Sequence, residues 1–359
     1  MKLNFLILLI CYLFVFEHST TIPEEENEQI IMNFYISEQD QNISLNISEK
    51  KDENTVANAI YNQSYERIGW DYLAISSYEK NDSKFNNSIK AYAMGYLEGV
   101  LTKDKIFSHY TNFDSYYFTD YKEQMPQAVE YFFAFLQQNF DYMKEKSLNN
   151  MNSDPYWENV YYVCQQFMGL YDGYISVAKD EEKLEFSQML ALSGAPDAQD
   201  IANHLIQSLI PQYTEMSNKE FNKFSFLNSH HCSALVKLAK DFSDIWFGHN
   251  TWNDYFFMTR IFKEYRFVSN NGIEKSKTQV FSSYPGRLSS TDDYYYLDSK
   301  ISIMGTSLSF KNQELYSLIK PQSLLTWVRT NVANRMASSG EEWAQIFEKK
   351  ILVHQIHRI

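Results

Sequence analysis

Two stretches of the chain place their apolar residues three and four apart. Val129, Phe132, Phe133, Leu136, Phe140 and Met143 make one stripe, and Trp157, Val160, Cys164, Phe167, Tyr171 and Tyr174 make another. This spacing lines one side of a helix, so it predicts two amphipathic helices with their stripes against a core. Cys164 sits on the second stripe and reads as a core thiol. A third helix is predicted from a cap at Ser88 to about residue 102, and its Ala91, Ala93, Gly95 and Gly99 would let a neighbour come close. Glu98 on that helix reads as a solvated carboxylate. Residues 195–210 form a shorter helix that Pro211 stops.

Residues 68–77 read as a strand, and beyond residue 231 the pattern turns mainly to alternation. Candidate strands cover 234–238, 245–248 and 279–283, and a hairpin joins 294–297 to 301–309 around Asp298-Ser-Lys300. Pro285-Gly286 fits the middle of a type II turn. Helices are predicted over 253–265 and 322–337, the second turning Leu325, Val328, Val332 and Met336 to the core. Ser338-x-x-Glu341 and Ser339-x-x-Glu342 each match a capping box for one more helix. Helices first and mixed elements afterwards make the class α+β. Residues 23–55, rich in Glu, Asn, Ser and Asp, read as a mobile lead-in. The chain then divides into 1–22, a polar 23–67, a mostly helical 68–231, a part over 232–347 and a tail over 348–359.

With 359 residues, 44% of them hydrophobic, the chain can build one large domain or two smaller ones. A net charge of −13 without a long basic run excludes nucleic acid as a partner. Lys2 precedes an apolar run, to Phe16, that is too short to span a bilayer comfortably. A secretory signal peptide over 1–22 is expected, with no transmembrane anchor after it. Asn42, Asn46, Asn62, Asn81 and Asn86 each open an Asn-x-Ser sequon, which marks glycosylation sites in a secreted or lysosomal protein. Once the signal is removed, Cys164 and Cys232 are the cysteines left. They are too few for a disulfide scaffold, and both are expected to remain thiols. No cofactor is implied, and the oligomeric state is not legible in the sequence.

Cys232 opens a strand-like run in which Cys232, Ala234, Val236 and Leu238 share a face. His249 follows a second such run and comes near Cys232 if the two strands are neighbours. His230, His231, Cys232 and His249 are metal-ligand types, but adjacent residues on a strand point to opposite faces and no Cys-x-x-Cys exists, so no metal is expected. The local sequence of a papain-like nucleophile is also absent.

His231-Cys-Ser-Ala-Leu-Val-Lys237 and Gly248-His-Asn-Thr-Trp252 resemble signature segments of the phospholipase B-like family. Gly69-Trp-Asp-Tyr-Leu73, Ala91-Tyr-Ala-Met-Gly-Tyr-Leu-Glu-Gly99 and Gly169-Leu-Tyr-Asp-Gly173 match upstream. Phe281-Ser-Ser-Tyr-Pro-Gly286, Thr291-Asp-Asp-Tyr294, Pro321-Gln-Ser323 and Val332-Ala-Asn-Arg-Met-Ala-Ser-Ser-Gly-Glu-Glu-Trp343 match downstream. The resemblance implies a four-layer α/β/β/α sandwich and an N-terminal-nucleophile hydrolase whose precursor cuts itself between His231 and Cys232. An internal thiol, with a pKa of about 8.5, lacks a base of its own. The α-amine freed by the cut supplies one.

The resemblance further implies that His249 orients or protonates groups near the thiol and that Asn250 or Asn334 donates to the oxyanion. Arg335 would pair with Asp292 or Asp293 or hold an acidic headgroup, and Trp252 would shape the pocket wall. The implied substrate is a phospholipid, or another acyl compound, that loses its fatty acyl groups. An amidase or peptidase of the same nucleophile class is the enzymatic alternative, and a truncated, inactive luminal lipid-binding protein the non-enzymatic one. After Phe347 the family continues into an Asn-bearing segment and more sheet, where this chain reads Glu348-Lys-Lys-Ile-Leu-Val-His-Gln-Ile-His-Arg-Ile359. The sandwich is therefore expected to be incomplete at its C-terminal end.

Overall fold

The computed structural model describes residues 29–205 and 232–349, apart from 40–41, 52, 80–84, 125, 254 and 307–312. The expectations for residues 1–22, Asn81, His231 and 350–359 fall outside the described residues. Of the lead-in expected over 23–55, residues 23–28 also fall outside them, and the described part from 29 onwards is mostly sheet. Strand β1 (Gln29–Gln39) pairs antiparallel with β2 (Asn42–Ser48) on one side and β3 (Thr55–Asn62) on the other. Phe34 is fully buried there, and the neighbouring Asn33 is buried because its amide donates to the carbonyls of Ser48 and Glu49. The polar count of this stretch concealed an inward face of Ile30, Met32 and Phe34. A single helical turn, α1 (Tyr65–Ile68), then takes up Ile68, and the predicted strand begins as β4 (Asp71–Ser77).

Helix α2 (Asn87–Leu101) is capped by Asn86 rather than Ser88, the Asn86 side chain accepting from the Ile89 N–H at 2.9 Å. It is followed by α3 (Lys103–Gln124), α4 (Pro126–Asn150), α5 (Pro155–Val177), α6 (Phe186–Ser193) and α7 (Ala195–Leu205). Both apolar stripes face the core. Phe132, Leu136, Phe140 and Met143 of α4 are buried, as are Trp157, Val160, Cys164, Phe167 and Tyr174 of α5. Burial pushes the Cys164 thiol up to about 12, which suits a core side chain and not a nucleophile. Helices α2 and α5 meet backbone to backbone. A Cβ at Gly95 would lie 1.8 Å from the Gln166 carbonyl oxygen, and one at Gly169 would lie 2.0 Å from that of Tyr92.

Among the described residues, strands β5 (Cys232–Leu238) and β6 (Ile245–Thr251) pair only with each other. Strands β7 (Ile261–Arg266), β8 (Thr278–Ser283), β9 (Tyr294–Leu297) and β10 (Ser302–Met304) join the first four in an eight-stranded sheet. Its order is β10-β9-β8-β7-β4-β3-β1-β2, antiparallel except where β4 meets β7. Helix α2 lies across β1, β3 and β4. Helices α8 (Thr326–Met336) and α9 (Gly340–Phe347) complete a mixed α+β fold.

The helix expected over 253–265 is instead a 3-10 turn, Tyr255–Met258, followed by β7. Lys263 disguised that strand by standing between Ile261 and Tyr265 on its buried face. Glu98, expected in solvent, is fully buried and is the reason a lysine fits there: it accepts from Lys263 Nζ at 2.7 Å and from the Tyr265 hydroxyl. The Pro285-Gly286 turn forms with Gly286 at φ 73°. Of the two capping boxes one forms, shifted by a residue. Ser339 accepts from the Glu342 N–H, and the Glu342 carboxylate reaches back to the Ser338 N–H.

Candidate active-site cleft

Alternation along β7 turns Lys263 towards Glu98 on α2 and Phe262 to the opposite face of the sheet. Tyr72 and Ser282 pair directly with Phe262 from β4 and β8, so the three share that face. A cleft of about 770 Å³ opens on it, and Tyr72, Phe262, Ser282 and Tyr294 form part of its floor. The β5–β6 ribbon makes one wall with Gly248, His249, Asn250 and Thr251. It is held there by Phe247, stacked on Tyr294 at 5.6 Å between centroids, and by His249, whose Nε2 lies 2.8 Å from the Gly305 carbonyl oxygen.

The ribbon's register places Cys232 opposite Thr251 and Ala234 opposite His249. Cys232 and His249 are thus diagonal neighbours on one face, a relation that spans about 7–8 Å between backbones. Cys232 is half-buried while the rest of β5 is exposed. A carbonyl can only accept, so His249 Nε2 carries a hydrogen, and the Thr251 hydroxyl lies 3.4 Å from Nδ1. The two strands are neighbours, the condition on which the sequence reading made His249 come near Cys232.

Asn250 also lines the cleft, opposite Ser233 on the ribbon. Asp292 lines it from the other side and is buried, with the Tyr284 hydroxyl donating to it at 2.5 Å. Burial first, and then the Asp292 carboxylate, raise the Tyr284 pKa, which keeps this phenol a donor. Asp293 adopts a left-handed φ of 51° and its carbonyl accepts from the Gly305 N–H, so it shapes the turn that carries the His249 acceptor. Trp252 is exposed; its neighbours Thr251 and Asn253, not Trp252 itself, line the cleft.

Asn334 and Arg335 do not reach this cleft. Asn334 donates to Gln279 and accepts from the Trp343 indole, which ties α8 to β8 and α9. Arg335 is buried, donates to Gln166 Oε1 at 2.8 Å and stacks over Phe267, so it pairs with neither Asp292 nor Asp293. Their helix turns both into the core because their partners on β8 and α5 are buried there too. Among the described residues no three His, Cys, Asp or Glu side chains gather closely enough to hold a metal ion.

The site also contains residues that sequence reasoning did not assign. Trp70 and Tyr284 stand inside the matched blocks, which was a signal for them. Arg260 lies outside every matched block and carried none.

The sequence profile of the Phospholipase B family matches residues 57–351. Phospholipase B-like protein C of Dictyostelium discoideum is 37% identical over 305 residues, which cover 82% of this chain and 50% of that protein. Phospholipase B-like 1 of Rattus norvegicus is 33% identical over 293 residues, 81% of this chain and 50% of that one. Phospholipase-B 81 of Drysdalia coronoides is 32% identical over 317 residues, 86% of this chain and 54% of that one. The chain spans about half the length of the curated relatives it matches. Among the described residues no helix is long and apolar enough to cross a membrane. With nine sequence blocks in order and a profile match over most of its length, this chain belongs to the phospholipase B family.

Proposed function

We propose that the chain carries the nucleophile of a hydrolase that removes fatty acyl groups from phospholipids. The observation that supports this best is the ribbon. Cys232 is its first residue, shares a face with His249, and adjoins the cleft wall through its partner Thr251. Processing begins when the Cys232 sulfur attacks the His231 carbonyl carbon and the peptide nitrogen leaves as the new α-amine. Water then hydrolyses the thioester, leaving a carboxylate on His231 and a thiol on an N-terminal Cys232. In turnover the amine takes the thiol proton, and the thiolate attacks the acyl carbonyl. The alcohol leaves with that proton, and water releases the fatty acid from the acyl-enzyme.

Neither candidate oxyanion donor is kept in this reading: Asn334 lies in the core, and Asn250, opposite Ser233, alternates to the exposed ribbon face away from Cys232 and His249. His249, held through Nε2, turns Nδ1 away from the Gly305 carbonyl and orients the groups near the sulfur. The four-layer sandwich is supported by the arrangement of α2 on one face of the sheet and the β5–β6 ribbon on the other. A secreted or lysosomal location belongs to the same proposal, and among its sequons Asn86 is exposed.

The test is expression through the secretory route, followed by N-terminal sequencing and acyl-release assays at acidic pH. A new terminus at Cys232, absent in Cys232→Ala, together with fatty acid release from phosphatidylcholine, supports the proposal. Release from amide substrates alone moves it to an amidase of the same nucleophile class. An unbroken backbone across residues 231–232 with no release from either substrate class refutes it.

A further inference from the structure

We infer that Arg260 is the anion anchor of the cleft and takes the phosphodiester of the lipid headgroup. This rests on the cleft being the acyl-transfer site, but the residue's geometry stands by itself. Arg260 immediately precedes β7 and Trp70 immediately precedes β4, the two strands that run parallel. The Asp71 N–H donates to the Arg260 carbonyl at 3.1 Å, which holds the two strand entrances side by side. The Arg260 guanidinium lies 4.5 Å over the Trp70 ring, and both residues line the cleft. Stacking on an indole occupies the flat face of a guanidinium and leaves its edge, where the N–H donors are, for a ligand.

That edge is unclaimed within the fold. Arg260 Nε is buried without a hydrogen-bond partner, and among the described residues no carboxylate comes within ion-pair distance of the guanidinium. The two carboxylates that line the cleft are committed elsewhere. Asp71 accepts from the Tyr61 hydroxyl and from the backbone N–H groups of Ser64 and Tyr65, and Asp292 accepts from Tyr284. A half-buried cation with an unmet donor and no counter-ion is costly unless a ligand supplies both. A phosphate oxygen does so with the fork geometry that a guanidinium matches. Arg335, to which the sequence assigned an acidic headgroup, is engaged with Gln166 in the core.

The experiment compares wild type with Arg260→Gln and Arg260→Lys on two esters, lysophosphatidylcholine and an uncharged monoacylglycerol of the same chain length. Loss of a charge-assisted contact of this type corresponds to about a tenfold change. KM for lysophosphatidylcholine should rise at least about tenfold in Arg260→Gln, with kcat nearly kept and the monoacylglycerol unaffected. Arg260→Lys should recover part of the loss. An equal loss on both esters, or none on either, overturns the assignment.

Glycerophosphocholine, which has no acyl group, tests Arg260 even if the wild type releases no fatty acid. Calorimetric binding that weakens at least about tenfold in Arg260→Gln supports the anchor while the acyl-transfer reading fails. Binding of inorganic phosphate as tight as that of glycerophosphocholine, or no difference between wild type and variant, overturns the headgroup assignment.

Discussion

Replacing Lys263 by Met tests whether a buried charge pair holds the helical layer to the sheet. Lys263 Nζ is fully buried and spends its three hydrogens on Glu98 Oε1 at 2.7 Å, the Tyr284 carbonyl at 2.8 Å and the Arg287 carbonyl at 2.6 Å. Burial pushes the Lys263 pKa down, and the Glu98 carboxylate works against that fall. Methionine fills a similar volume and removes every donor. Glu98 is then left with the Tyr265 hydroxyl alone, and the Tyr284 and Arg287 carbonyls keep only long contacts, from the Arg287 N–H at 3.4 Å and the Ser283 hydroxyl at 3.5 Å. Breaking a buried pair by removing one member costs about 3–5 kcal/mol, because the remaining charge stays desolvated.

Denaturant unfolding at neutral pH should therefore show a loss of about 3–5 kcal/mol for Lys263→Met. In Glu98→Gln/Lys263→Met the orphaned charge is gone, so the double variant should be more stable than Lys263→Met alone. The reasoning is refuted if Lys263→Met costs less than about 1 kcal/mol, or if the second substitution adds its full independent cost. The turn from Tyr284 to Arg287 hangs on the same ammonium, so turnover should fall with stability through the Tyr284–Asp292 contact in the cleft.

Three further outcomes follow from single contacts. His109 is fully buried beside Arg287 and Lys263, and burial followed by those two cations holds its pKa well below 6.5. Below that pH the unfolded chain binds a proton that the folded chain does not. Stability attached to this group is therefore complete above about pH 6.5 and falls by about 1.4 kcal/mol per pH unit below it, a slope that His109→Phe should remove from acid-unfolding curves. Gly95→Ala forces the α2 and α5 backbones apart and should lower thermal stability by about 1–3 kcal/mol, a loss that native-like melting of the variant would refute. The Lys275 ammonium, and then the Ser338 N–H, hold the Glu342 carboxyl down to about 2 from 4.5. Its contribution is present above about pH 4.5 and lost as pH falls towards 2. Glu342→Gln should thus be less stable than wild type at pH 6 and indistinguishable from it near pH 2.

Much of the architecture was local enough to read from residue spacing. The α4 and α5 stripes, the small residues of α2, the turn at Pro285-Gly286 and the strand alternation after Cys232 depend on neighbours within a few positions. The two runs of the β5–β6 ribbon were legible, but their pairing, and with it the shared face of Cys232 and His249, came from the tertiary structure. Strands β1 to β3 and β7 were not legible. In the first three, polar residues satisfy the sheet through partners such as Asn33 with Ser48. In β7 a lysine occupies a core position that only Glu98, 165 residues away, makes tolerable.

The sequence by itself determined the family, the class of the fold and the candidate nucleophile, because those rest on residue types and short-range periodicity. The tertiary structure alone decided which polar side chains meet in the cleft. It turned Asn334 and Arg335 into the core and brought Trp70 and Arg260 together at two parallel strand entrances. Side-chain direction along one element is a local property, whereas the partner that neutralises or leaves open a charge comes from a distant part of the chain.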